Sequence, residues 1–214
     1  MVQKESATRT RSDAEPKRRG RPRAYDSEDA LRRAAESFWK GGYSGTSLDD
    51  IAAATGMNRP SLYAAFGDKH ALYLKALHWY WELGHAAMRE ALAHDRPLKD
   101  ALMRVYEKSL SMYFSGNGHP RGCFAIGTAT TEAVEDAEIR TAFARGLATL
   151  DEAFEARIRL AHEKGELRGD ADPAALAVLA SATLHTLAIR ARAGTPRAEL
   201  EELARKAVKI ICGK

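Results

Sequence analysis

Thr46-Ser47-Leu48-Asp49-Asp50-Ile51-Ala52-Ala53-Ala54-Thr55-Gly56-Met57-Asn58-Arg59-Pro60-Ser61-Leu62-Tyr63-Ala64-Ala65-Phe66 reads as two short helices hinged at a glycine, a helix-turn-helix. Leu48, Ile51 and Ala52 stand at i, i+3 and i+4, which puts them on one face of a first helix, and Leu62 with Phe66 repeats the i, i+4 spacing on a second. Gly56 supplies the positive φ that ends the first helix in a tight turn. Asn58 is a good N-cap for the second, and Pro60 suits its first turn, where a missing N–H costs nothing. Helices this short bury too little to stand alone, so the motif needs a third helix beneath it and a scaffold beyond it. The side chains left over on the second helix, Asn58, Arg59, Ser61, Tyr63 and Ala64, suit a major groove. Arg pairs in bidentate fashion with guanine, Asn does so with adenine, and Ser or Tyr reaches base or phosphate. The plainer reading is an ordinary helical hairpin within an all-α domain.

The 214 residues, 45% hydrophobic and 29% charged, are enough to bury a sizeable core in one or two domains. No apolar run is read as approaching the roughly 20 residues that span a bilayer, and no apolar h-region follows the basic N-terminus. The expectation is a cytoplasmic protein without a membrane partner. Cys123 and Cys212 are too far apart to form a disulfide framework, which suits a reducing compartment. The net charge of +4 is unevenly placed: residues 1–25 carry eight Lys or Arg against three acids, while the rest has 25 bases against 26 acids. A basic arm on a near-neutral body is the pattern of a tail that meets a polyanion. Residues 1–24 have almost no large apolar side chains and are expected to be disordered in the free protein. Arg18-Arg19-Gly20-Arg21-Pro22-Arg23 suits a narrow minor groove, and equally suits a merely solubilising tail.

The chain continues as helix after helix. Asp26 or Ser27 caps a first helix to about Lys40, ended by Gly41 and Gly42; with the helix-turn-helix it makes a DNA-binding unit over residues 25–70. Gly67 stops the recognition helix, and Asp68 caps a fourth that runs from Lys69 to about Ala93 through Leu72, Ala76, Trp79, Tyr80, Leu83 and Ala87. Further helices are expected at about 97–115, 123–133 and 136–164. The last two follow the Asp172-Pro173 and Thr195-Pro196 start signals, which gives about nine in all. Residues 71–214 thus form a helical bundle. Its eighth helix is apolar around much of its girth and calls for a second subunit. Two helices from each of two chains would form a four-helix seam and set two recognition helices about one turn of DNA apart.

Arg21-Pro22-Arg23, the Gly42 turn, Thr46-Ser47-x-x-x-Ile51-Ala52-x-x-x-Gly56, Ser61-Leu62-Tyr63-x-x-Phe66 and Lys69-x-x-Leu72 together resemble the TetR family of bacterial one-component transcriptional regulators. The match is continuous from about Arg21 to Leu72, and the nine-helix layout fits as well. The resemblance implies a homodimer, joined through its last two helices, that binds a palindromic operator in double-stranded DNA, by default as a repressor, and that a small-molecule effector releases. It implies phosphate contacts from Thr46 and Ser47, base contacts from Arg59, Pro60, Ser61 and Tyr63, and a backbone grip from Lys69. Ala65 departs from the pattern, since many members carry a His there, and with it goes one implied phosphate contact. Gly122-Cys123-Phe124 resembles a motif of some members, including ones that sense electrophiles or oxidants.

No nucleotide loop, nucleophile elbow or zinc pair with convincing spacing is present, so neither enzyme nor cofactor is expected. His78, Glu82 and His85 share a helix face but are read as surface residues rather than metal ligands. The aromatic residues of the C-terminal half suggest an effector pocket between bundle helices, with Trp79, Tyr80, Tyr106, Tyr113, Cys123, Phe124, Phe143 and His185 as candidate walls. Taken singly, each reads as a core residue ahead of a ligand contact, and the pocket as a whole is better supported than any one of them. Cys123 admits two readings: a sensor thiol activated by a helix N-terminus and Arg121, or a small core hydrophobe. The rival functions are an architectural DNA-binding protein without effector and an all-helical enzyme.

Overall fold

The computed structural model describes residues 26–116 and 118–213, so the basic arm, with Arg21 and Arg23, lies outside the described residues. These residues form α1 (Ser27–Gly41), α2 (Leu48–Thr55), α3 (Arg59–Phe66), α4 (Lys69–Ala91), α5 (Leu98–Tyr113), α6 (Phe124–Glu132), α7 (Ala137–Glu163), α8 (Pro173–Arg192) and α9 (Arg197–Cys212), and no strand occurs among them. The architecture is all-α, as the sequence implies.

Local chemistry sets most helix ends. Asp26 accepts from the Glu28 N–H at 2.9 Å and starts α1. At α2 the Ser47 hydroxyl accepts from the Asp50 N–H at 3.1 Å while the Asp50 carboxylate accepts from the Ser47 N–H at 2.8 Å. This reciprocal box satisfies two otherwise unpaired donors. Gly56 turns the chain at φ 69°, and the Asn58 side chain accepts from the Ser61 N–H at 2.9 Å to open α3. One start signal acts differently from expectation. Pro97 and Pro196 sit at the N-cap itself with no side-chain cap bond, so Thr195 does not cap α9. For α5 the missing cap is supplied from afar, by Glu166 Oε2 accepting from the Leu98 N–H at 2.5 Å.

Ile51, Leu62, Phe66, Phe38 and Leu72 are buried where α1 to α4 meet, which gives the two short helices their third partner. Helix α4 runs unbroken across the expected boundary at 70/71, so the DNA-binding unit and the bundle share one rigid rod. Its buried face is Leu72, Tyr73, Ala76, Leu77, Tyr80, Trp81 and Met88, while Leu83 and Ala87, expected inside, are exposed.

One sequence expectation is corrected by α8. Its Pro173–Arg192 span is long and apolar enough to cross a membrane by composition alone, with a mean hydropathy of 1.5. It is instead the spine of the bundle. It packs against α7, α9 and α5 through Ala177, Ala180, Leu184, Leu187 and Ala191. Its outer side leaves Val178, Leu179 and Ile189 exposed, and on α9 Ile210 is exposed as well.

The close fit of α4 to α7 depends on Gly146. A Cβ there would lie 2.0 Å from Cε2 of the Trp81 indole, so only glycine lets that ring lie flat on the α7 backbone. Gly146→Ala gains about 0.5 to 1 kcal/mol of helix propensity but forces a buried ring off its seat, which costs about 1 to 3 kcal/mol. We expect net destabilisation, read as a lowered Tm, with part of the loss recovered in Gly146→Ala/Trp81→Leu. An unchanged or raised Tm would show that the indole moves freely.

Candidate DNA interface and effector cavity

The outer side of α3 presents Asn58, Arg59, Pro60, Tyr63 and Ala64 to solvent, with Ser61 half-buried beside them. Tyr63 is 50% exposed, a large aromatic surface that the core does not use. The guanidinium of Arg59 is forked onto Asp49 of α2: Nε donates to Oδ1 at 2.6 Å and Nη2 pairs with Oδ2. This bidentate pair fixes the guanidinium across the two helices, and its hydrogen bonds hold the Asp49 carboxyl below the usual carboxylate range. The sequence reading missed Asp49, whose i, i+10 relation to Arg59 becomes a contact only when the turn folds back. Asn58 Oδ1 is spent on the helix cap, which leaves only its amide N–H₂ group for a groove.

The structure corrects one phosphate expectation. Thr46 is buried, and its hydroxyl lies 2.7 Å from the Gly42 carbonyl and 3.2 Å from that of Ser37, so it ties the α1–α2 turn and offers no side-chain donor outward. Ser47, next to it, is exposed at the N-terminus of α2. Lys69, in the first turn of α4, holds its Nζ 4.5 Å from the centre of the Tyr43 ring. That ring packs in turn on Phe38 and Tyr73, so the ammonium is seated on a rigid aromatic base.

Between α4, α5, α6, α7 and α8 lies a cavity of about 360 Å³. Of the expected wall residues, Trp79, Tyr80, Tyr113, Cys123 and His185 line it. Three do not. Tyr106 is fully buried with its hydroxyl donating to the Ala180 carbonyl at 3.0 Å, Phe124 is fully buried in an aromatic cluster, and Phe143 packs along the core. The structure adds Trp39, Trp81, His85, Met88 and Met112, so all three tryptophans of the chain face one space. Burial holds the imidazoles of His85 and His185 below the ordinary histidine value, against the pull of the Gly146 carbonyl on the first and of Asp151 on the second. Both are neutral at pH 7. His85 stacks on Trp81 at 5.3 Å rather than joining His78 and Glu82.

The cavity abuts the DNA-binding unit. Phe124, at the start of α6, packs on Trp39 of α1 and on Tyr73 and Tyr80 of α4, with ring centres 5.7, 6.0 and 5.4 Å away. Thr128 of α6 is hydrogen-bonded to the Tyr73 hydroxyl at 2.7 Å, and Glu132 accepts from Ser44 at 2.9 Å. The Trp39 indole N–H and Arg192 of α8 both donate to the Arg121 carbonyl at 3.3 Å. His70 of α4 faces Asp136, the α7 cap, at 2.8 Å.

Comparison with known proteins agrees with this layout. Residues 30–76 match the family model described as bacterial regulatory proteins, tetR family, and residues 99–207 match the tetracyclin repressor-like C-terminal domain. The chain is 27% identical over 194 residues to the HTH-type transcriptional repressor ComR of Escherichia coli K12, covering 91% of this chain and 92% of that one. It is 30% identical over 159 residues to the HTH-type transcriptional regulator YezE of Bacillus subtilis 168, covering 74% and 81%. A solved structure of a cysteine-substituted CifR, a TetR-family regulator complexed with 26-base-pair operator DNA, superposes with a TM-score of 0.80 at 31% identity, covering 88% of this chain and 98% of that one.

Cys123 is buried at the cavity wall. Burial pushes its pKa up, outweighing hydrogen bonds from the Ile126 and Ala125 amides and from Tyr80, whose hydroxyl donates to Sγ at 3.1 Å. That direction is opposite to the one an activated thiol needs and, with the burial of the side chain, favours the core reading. Native protein treated with N-ethylmaleimide at pH 7 should leave Cys123 unmodified by mass spectrometry on a timescale that fully labels it in denaturant. Rapid native labelling would restore the sensor reading.

Proposed function

The chain belongs to the TetR family of bacterial transcriptional regulators, and from that premise we propose that it is a homodimeric repressor released from a palindromic operator by an apolar or aromatic effector. It is a DNA-binding regulator rather than an enzyme. The observation that carries the effector reading is that one cavity wall is Trp39, a residue of the DNA-binding unit itself. An occupant pressing on Trp39, Tyr80 and Ile126 acts on α1, α4 and α6 at once. It biases the protein toward whichever arrangement gives the ligand more contact, and so alters recognition-helix spacing.

In this reading α3 enters the major groove, Arg59, Ser61 and Tyr63 face base edges, and Ser47 and Lys69 hold phosphates on either side. The exposed Val178, Leu179, Ile189 and Ile210 on α8 and α9 form the seam with a second copy. CifR's complex with operator DNA and ComR's description as a repressor support the same assignment. The protein would act in the cytoplasm, where the operator is.

Arg59→Ala should lower discrimination at one position of each half-site by about 1 to 3 kcal/mol, while Lys69→Ala should weaken operator and random DNA alike. Fluorescence anisotropy on both DNAs separates the two, and equal losses for Arg59→Ala would remove it from base reading. Because every tryptophan lines the cavity, an effector should quench intrinsic emission and weaken operator binding over the same concentration range. A ligand that quenches strongly yet leaves DNA affinity unchanged would sever cavity from function.

A further inference from the structure

Arg59 is the first residue of α3, and in a helix-turn-helix it is the N-terminal end of the recognition helix whose side chains reach base edges. A guanidinium carries five N–H donors in a fixed planar arrangement. The pair with Asp49 takes two of them, the Nε–H and one N–H of Nη2, which lie along one side edge of the plane. Among the described residues no protein atom accepts from the other three, and the side chain is 55% exposed. Two of those three, one on each Nη, point the same way and form a second fork at the tip of the side chain.

The plainer account is a surface ion pair that bolts α2 to α3. Both partners are more than half exposed, Asp49 at 69%, and pairs of that kind contribute little to stability. The two helices are already joined through buried Ile51 of α2 and Leu62 and Phe66 of α3. Asp49 also sets a carboxylate beside the face proposed to meet phosphates, which opposes the approach of DNA of any sequence.

We propose that Asp49 is a specificity-determining positioning residue: it holds the side edge of the guanidinium so that the tip fork is what enters the groove, and the base that Arg59 reads is guanine. Guanine shows that fork two neighbouring acceptors, O6 and N7. Adenine sets a donor beside its N7, cytosine presents a donor, and thymine has one acceptor beside a methyl group. A guanidinium released from Asp49 is free to turn to a phosphate, a contact that carries no sequence information. This inference rests on Arg59 facing bases, and the experiment separates the two.

Full-length wild type, Asp49→Ala, Arg59→Ala and the double variant each select duplexes from a library of randomised double-stranded DNA, and fluorescence anisotropy on selected and random duplexes follows at several salt concentrations. Wild type should select guanine at one position of each half-site, and Arg59→Ala should lose that preference. Asp49→Ala, with Arg59 intact, should lower the guanine preference there about fivefold, the effect of having to order one long side chain on binding. Its affinity for random duplex should instead rise about threefold at low salt, with a log–log salt slope steeper by about 0.9 as the freed cation takes a phosphate. These opposite movements separate positioning from folding, since a damaged domain loses both affinities. In the Arg59→Ala background, Asp49→Ala should leave base preferences unchanged. Should Asp49→Ala fail to fold by circular dichroism, Asp49→Asn, which keeps one acceptor, decides with a loss of about twofold. A guanine preference that is unmoved, or that falls together with random-duplex affinity, or a base other than guanine at the Arg59 position, would overturn the positioning role and leave Arg59 as a base reader. Arg59→Ala altering no position would overturn both.

Discussion

Phe124 is the residue on which the two halves of the molecule turn. It stands at the first position of α6, is fully buried, and touches rings from α1 and α4 simultaneously. Aromatic contacts of this kind contribute about 0.5 to 1.5 kcal/mol each beyond the area they bury, so the junction is held by several such increments acting together. From it the contacts run without a gap in two directions: through Tyr73 and Tyr43 to Lys69, and through Tyr80 and Trp81 to His85. A packed chain of rings deforms poorly, so displacement at one end is passed on as a shift of whole helices rather than absorbed locally.

The face proposed to meet DNA is built from groups that also stabilise the fold. Ser47 and Asn58 cap the helices whose surfaces they decorate, and Asp49 grips Arg59, the arginine proposed to read bases. The pair between Asp49 and Arg59 is exposed at both partners, where such bridges contribute little to stability. Its consequence is geometric: one flexible side chain is held ordered before the groove arrives, and less entropy is lost on binding.

Burial decides the chemistry of the cavity. The same enclosure that excludes water keeps His85 and His185 neutral and raises the Cys123 thiol, so the site favours apolar contact over proton or thiolate chemistry.

The sequence by itself determined the helix order, the position of the helix-turn-helix and most helix ends. These depend on interactions within four residues: apolar spacing, Asp and Asn caps, a glycine at positive φ. The resemblance of Arg21 to Leu72 to a known family added the function. The tertiary structure alone decided which aromatic residues are wall and which are core. Phe124 and Tyr106 have the composition of a pocket and lie outside it, while Trp39, thirty residues before the bundle, lies within it. It decided equally that Thr46 faces inward, that Asp49 meets Arg59, and that α8 is a spine and not a membrane span. Each of these follows from helices that meet across long stretches of chain, and local periodicity states which face of a helix is apolar without stating what that face will touch.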